Sequence, residues 1–156
     1  PVELMLRRSE GIPHSCAWAY FLRNHDEISF STVPEEERVA LLNFLDPART
    51  YVFRYGKDTS VRLGTIFEKE PERLLEAFAL LYSLPGATIM YYGDEIGMRN
   101  LPAKDGTIDS RTYVRGMFEW EKAETAVEDM DSLLNRTADI IGHSNVPWLV
   151  KMVLDK

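Results

Sequence analysis

Two short apolar segments constrain the fold of this chain more than any other feature. Cys16-Ala-Trp-Ala-Tyr-Phe-Leu22 and Ala87-Thr-Ile-Met-Tyr-Tyr92 show none of the alternation of a half-exposed strand. Short, apolar and rich in aromatics, they read as strands buried on both faces. Each empties into a polar group: Arg23-Asn-His-Asp-Glu27 after the first, Gly93-Asp-Glu95 after the second. Between them lies the clearest helical pattern. Pro71 and Glu72 open it, and Leu74, Leu75, Phe78, Leu81 and Tyr82 form an i, i+3, i+4 stripe until Pro85-Gly86 ends it. Strand, helical crossover, strand is a βαβ unit with parallel pairing. Both polar groups then lie at carboxyl ends of strands, on one edge of one sheet, where α/β barrels and open α/β sheets keep their sites.

The remaining pattern is more ordinary. A second helix is expected over 34–45, with Pro34 at its first turn, Glu35, Glu36 and Glu37 suiting the helix dipole, and Val39, Leu41, Leu42 and Leu45 as its apolar face. Asp46-Pro47 stops it. Residues 47–69, which include Arg49, Arg54 and Arg62, read as a loop, as do residues 97–118. One or two helices follow across 121–142, ended by Gly142. Residues 1–15 read as a connector closing on Gly11-Ile12-Pro13, and residues 143–156 as the start of a following segment.

Composition narrows the class. Apolar residues make up 45% and charged residues 28%, the balance of a globular domain and not of a disordered chain. A net charge of -7 without a basic run argues against nucleic acid and against an anionic membrane as partners. No apolar run reaches the length of a membrane span or of a signal-peptide core. Cys16 is the single cysteine, so no internal disulfide or thiolate metal cluster is expected. Its apolar neighbours suggest a buried, inert thiol, and a reducing cytoplasm is the favoured compartment.

A resemblance emerges from three motifs taken in order. Leu22-Arg-Asn-His-Asp-Glu27 resembles the motif that ends the seventh barrel strand in glycoside hydrolase family 13, the α-amylase family. Leu84-Pro-Gly-Ala-Thr-Ile-Met-Tyr-Tyr-Gly-Asp-Glu-Ile-Gly97 is similar to that family's eighth-strand motif. Arg111-Thr-Tyr-Val-Arg-Gly-Met-Phe-Glu-Trp120 resembles the family segment V-R-T-P-M-Q-W, placing its arginine on Arg115 and its tryptophan on Trp120, with Gly116-Met-Phe-Glu standing for T-P-M-Q. Within the family the pattern is most similar to the trehalose-synthase (maltose glucosyltransferase) branch.

The resemblance implies an α/β fold, the last quarter of a TIM (β/α)8 barrel, roughly two of its eight βα units. The parent would be a retaining enzyme acting on α-glucosides such as maltose or trehalose, and residues 1–156 a carboxy-terminal fragment of its catalytic barrel. Asp26 takes the role of the transition-state stabiliser, which grips sugar hydroxyls as an oxocarbenium-like state develops. His25 and Asn24 would contact the same glucose. Arg115 would hold neighbouring hydroxyls or the nucleophile's carboxylate through its planar fork. The nucleophile and the acid/base belong to strands four and five, absent here, so the segment alone is expected to be inactive. Its missing barrel strands are its implied partners. Family members often carry calcium, but the usual ligands lie outside this stretch, so no cofactor or metal is expected in it.

Plainer readings stand beside these. Asn24, His25 and Asp26 also fit a capped surface turn, Arg115 a surface ion pair, and Trp120 ordinary packing. Asp94 and Glu95 read as structural groups that bond loop backbone, and Tyr91 and Tyr92 as core. His14 and His143 have no metal-ligand pattern. Asn135-Arg-Thr137 matches a glycosylation sequon but falls within an expected helix. Rival functions are an α-glucosidase or α-amylase that passes the glucosyl group to water, and a non-catalytic sugar- or protein-binding fragment.

Overall fold

The computed structural model describes residues 11–13, 15–84 and 86–143. The readings placed on residues 1–10, His14, Pro85 and the tail from residue 144 lie outside them. The described residues form a mixed α/β structure. In chain order it contains β1 (Ala19–Tyr20), α1 (Glu35–Leu45), β2 (Val52–Phe53), β3 (Asp58–Thr59), α2 (Leu63–Ile66), α3 (Pro71–Tyr82), β4 (Ala87–Thr88), a 3-10 turn (Ser110–Val114), α4 (Trp120–Glu128) and α5 (Leu133–His143).

The expected parallel pair is present. β1 and β4 run parallel in the register Ala19 to Ala87 and Tyr20 to Thr88. The Ala87 and Ile89 amides donate to the Trp18 and Tyr20 carbonyls, each at 2.8 Å. The strands differ from expectation in length and cover. Each has two residues, not six or seven, and Trp18, Phe21 and Ile89 are about half exposed (47%, 50% and 47%). Among the described residues no third strand joins the pair, and these side chains stay half open to solvent. Cys16 is likewise exposed, not buried, because its segment precedes β1 with no element over it.

A core does form behind the sheet. Leu63 of α2 packs with Leu74, Leu75, Phe78 and Tyr82 of α3, and Met90, Leu133, Ile140 and Ile141 close around them. The stripe expected for α3 is thus the face it buries, against α5. Arg136 of α5 bonds Glu72 of α3 with both arms of its fork, at 2.5 and 2.6 Å, on the outer side. α1 is less well served. Only Leu42 is buried, while Val39 and Leu41 of the expected apolar face stay exposed.

The segment read as the loop 47–69 is structured. β2 and β3 form an antiparallel hairpin, Val52 to Thr59 and Phe53 to Asp58, and α2 follows. Asp46 organises it: its buried carboxylate accepts from the Thr50 and Tyr51 amides (2.9 and 2.8 Å) and the Thr59 hydroxyl (3.2 Å). The hairpin tip is built from left-handed residues, Arg54, Tyr55 and Gly56 (φ 47, 58 and 78°). The loop 97–118 contains the 3-10 turn, and α5 runs through Gly142 rather than ending there.

One glycine is fixed by close approach. A Cβ on Gly64 would sit 2.7 Å from the Gly97 carbonyl carbon and against the Met98 carbonyl, so α2 can pack on the 93–98 loop only without a side chain here. Gly64→Ala should lower stability by about 1–3 kcal/mol, seen as a lower urea midpoint, and an unchanged midpoint would refute this packing. The open edges of the β1–β4 pair and its exposed aromatics should also make the chain self-associate when produced alone. Light scattering tests this, and a monomer with a sharp cooperative melt would contradict it.

Candidate functional site

The polar group after β1 turns sharply and is held from three sides. Arg23 points inward and is buried, its Nε donating to the Val61 carbonyl at 2.6 Å. Asn24 Oδ1 accepts from the Asp26 amide at 2.9 Å, the side-chain-capped turn that favours Asn at such a position. His25 and Asp26 therefore emerge together at the surface, His25 Nε2 3.3 Å from Asp26 Oδ2. Glu27 follows with only 9% of its side chain exposed, facing Arg54 of the hairpin tip at 3.2 Å. The Ile28 amide then bonds the Thr59 carbonyl at 2.7 Å, and the Phe30 amide bonds the Asp58 carboxylate at 2.8 Å. The hairpin read as loop is thus the wall against which the site segment lies.

Arg115, ninety residues away in sequence, reaches the same point. Its Nη2 is 3.0 Å from Asp26 Oδ1 and its Nε donates to the His25 carbonyl at 3.0 Å. The structure brings Asn24, His25, Asp26 and Arg115 together. In this structure the Arg115 fork pairs with Asp26 and the His25 backbone, an ion pair whose acid is the site's own.

The end of β4 explains how Arg115 is placed. The Tyr91 hydroxyl donates to the Val114 carbonyl at 3.1 Å, and the Tyr92 hydroxyl to the Gly116 carbonyl at 2.6 Å. The two tyrosines clamp the backbone on either side of Arg115. They are not the simple core that the sequence suggested: Tyr92 is 39% exposed, and their rings meet edge to face at 4.6 Å. Trp120 is 69% exposed at the start of α4 and meets Phe118 edge to face, ring centres 4.6 Å apart.

Beneath the tyrosines lies Arg62, wholly buried. Its guanidinium carbon is 4.6 Å from the Tyr91 ring centre and 5.0 Å from that of Tyr92. Its Nη2 donates to the Tyr92 carbonyl, and its Nε is 3.8 Å from Asp94 Oδ1. Its own amide bonds Asn100 Oδ1 at 2.7 Å, and Asn100 in turn bonds Ser60 and Thr65. Asp94, expected to bond loop backbone, instead faces Arg62 with 1% of its surface exposed. Burial pushes the Asp94 carboxyl up to about 7, against the pull of Arg62 and Arg23 and with a push from Glu95. Burial likewise raises the Glu95 carboxyl, which does meet loop backbone, lifts the Tyr91 phenol to about 12 and lowers Arg23 to about 10.

Sequence reasoning missed three arginines of this constellation: Arg54, Arg62 and Arg111. Arg111 Nη1 is 3.5 Å from Asp26 Oδ1 and 3.7 Å from Glu27 Oε2. The available signal was the density of arginine in segments without a helical pattern. His143 bonds the Asp139 carbonyl of its own helix, and Asn135 is occupied by carbonyls at 126, 127 and 129. Among the described residues no group of three or more His, Cys, Asp or Glu could hold a metal ion. None of their helices is long and apolar enough to cross a membrane.

With this geometry in view, comparison with known proteins is informative. No protein-family model matches the chain. A trehalose synthase of Thermus thermophilus is 38% identical over 122 residues, 78% of this chain. A trehalose synthase/amylase of Mycolicibacterium smegmatis is 32% identical over 120 residues, 77% of the chain, and a trehalose synthase of Pimelobacter 33% identical over 106 residues, 63% of it. These matches give the chain a trehalose synthase-like relationship within glycoside hydrolase family 13, the α-amylase family. The matched stretch is 12%, 19% and 17% of those three relatives' lengths, respectively.

Asp94 supplies a test of the buried layer. Its folded pKa of about 7 lies above the ordinary 3.8, so its contribution to stability is fully present below the ordinary value and is lost as pH rises through about 7. Relative to Asp94→Asn, the unsubstituted protein should lose thermal stability between pH 4 and pH 7. Melting curves of both across that window check this, and parallel curves would overturn it.

Proposed function

We propose that this segment is the carboxy-terminal quarter of an α-amylase-type (β/α)8 barrel, with β1 and β4 as its seventh and eighth strands. The parent would interconvert maltose and trehalose by retaining α-glucosyl transfer. The observation that carries the reading is the convergence on Asp26. A half-exposed carboxylate stands at the carboxyl end of a parallel strand, held by Arg115, with the exposed imidazole of His25 against its other oxygen. Supporting it are the trehalose synthases among the relatives and the half-exposed Trp18, Phe21 and Ile89 flanking β1 and β4, which the remaining βα units would cover.

In this reading Asp26 does not attack. Arg115 and the Asn24 turn hold its carboxylate in place, so the group need not reorganise as positive charge develops at the sugar ring. His25, its ring exposed, donates to hydroxyls of the same glucose, beside Asn24. The nucleophile and acid/base come from parts of the parent outside this segment, which has no turnover by itself. No step runs through a metal or another cofactor in this segment. The partners are the α-glucoside and the rest of the barrel, and the lone Cys16 suits a cytoplasmic enzyme.

A second reading has one observation in its favour: the Mycolicibacterium relative is named both trehalose synthase and amylase. If water reaches the glucosyl intermediate, the same site yields hydrolysis. Protein from the longest open reading frame containing this segment, incubated with maltose and followed by carbohydrate chromatography, separates the two. Trehalose as main product fits transfer; glucose alone fits hydrolysis. Asp26→Asn in that protein should lower kcat by about 10³-fold with the fold intact, and a preserved rate would sink the assignment.

A further inference from the structure

We infer that Arg111, outside the motif positions, is a positioning residue for Asp26, holding the carboxylate that meets the sugar without touching sugar itself. The inference rests on the role given to Asp26 above.

Arg111 is itself unusually well fixed. Its Nε and Nη2 bond the two oxygens of Asp109 at 2.9 and 2.8 Å, and its amide bonds Asp109 Oδ1 at 3.0 Å. Its guanidinium carbon lies 4.7 Å over the ring centre of Phe53 in the hairpin. Guanidinium on an aromatic face and a bidentate carboxylate pair are the two contacts for which Arg and Lys are least interchangeable. The Asp109 pair holds that carboxyl below its usual range and Arg111 above its own. With Nε and Nη2 engaged, Nη1 is left to face the site.

That edge lies 3.5 Å from Asp26 Oδ1 and 3.7 Å from Glu27 Oε2. Both are ion-pair distances longer than hydrogen bonds, which suits steering by charge. Asp26 Oδ1 thus meets Arg115 at 3.0 Å on one side and Arg111 on the other. Glu27 is set between Arg111 and Arg54, and Arg54 reaches on to Asp58 at 3.8 Å. Arg111 and Arg115 both stand on the segment 110–115, and Arg111, lying over Phe53, also ties the Asp26 carboxylate to the hairpin. Without Arg111 the carboxylate has one cation and one route of displacement.

The test is a double-mutant cycle in the full-length protein, with an activated aryl α-glucoside so that residual turnover stays readable. Arg111→Gln should lower kcat by about 10²-fold with KM within about 2-fold. The same change in an Asp26→Asn background should cost under about 3-fold, because a residue acting through Asp26 has nothing left to position. Arg111→Lys should recover only part of the rate. Equal losses in both backgrounds would assign Arg111 to folding alone and overturn the inference. If Asp26→Asn abolishes turnover and Arg111→Gln leaves it unchanged, the inference falls while the reading of Asp26 stands. If Asp26→Asn keeps the unsubstituted rate, that reading fails first. Should Arg111→Gln lack a cooperative melt, Arg111→Lys takes its place in the cycle, judged by the same two ratios.

Discussion

A guanidinium with no exposed surface, Arg62, is the contact on which the site edge of this molecule depends. A buried cation is costly unless its charge and donors are met. Here Tyr91 and Tyr92 offer ring faces, Tyr92 a carbonyl, and Asp94 a carboxylate. These contacts draw the end of β4, the 93–98 loop and the segment entering α2 to one point, while Arg62 Nε and Asp94 Oδ1 face each other at 3.8 Å without a hydrogen bond. Arg23, entering from the end of β1, bonds the Val61 carbonyl beside it. Two strand ends and the crossover between them are thereby locked in one layer.

The site sits on that layer and inherits its order. Once Arg62 fixes the tyrosine rings, their hydroxyls have a defined reach, and they spend it on the carbonyls of Val114 and Gly116. The turn carrying Arg115 is placed by this clamp, so the fork meets Asp26 without help from regular structure. On the opposite side the Asp46 carboxylate shapes the entry to the hairpin through the Thr50 and Tyr51 amides, and the Asp58 carboxylate of the hairpin takes the Phe30 amide of the site segment. Function in a fold of this kind is carried by loops, and loops hold geometry only where polar side chains close them.

Legibility in the sequence followed physical range. The α3 stripe was readable because helix period and burial face are local properties, and the five residues Leu74, Leu75, Phe78, Leu81 and Tyr82 are all buried as expected. The parallel relation of β1 and β4 was readable from the crossover that separates them. The hairpin at 52–59 was not, since strands of two residues leave no alternation to detect. Cys16 and Val39 were misjudged because apolar neighbours in sequence say nothing about what lies over them in space. Arg111 and Arg62 escaped notice for a related reason: their partners lie far away in sequence, except Asp109.

The sequence by itself determined the βαβ unit, the placing of two polar groups at one sheet edge, and the motifs that carry the trehalose synthase-like resemblance. These rest on periodicity and on residue order, which no neighbour can alter. Only the tertiary structure decided that Arg115 pairs with Asp26, that Arg111 stands beside it, and that Asp94 is buried facing Arg62 rather than a loop cap. Charge pairing falls off over a few ångströms and is indifferent to chain distance, so these facts exist only once the chain has folded.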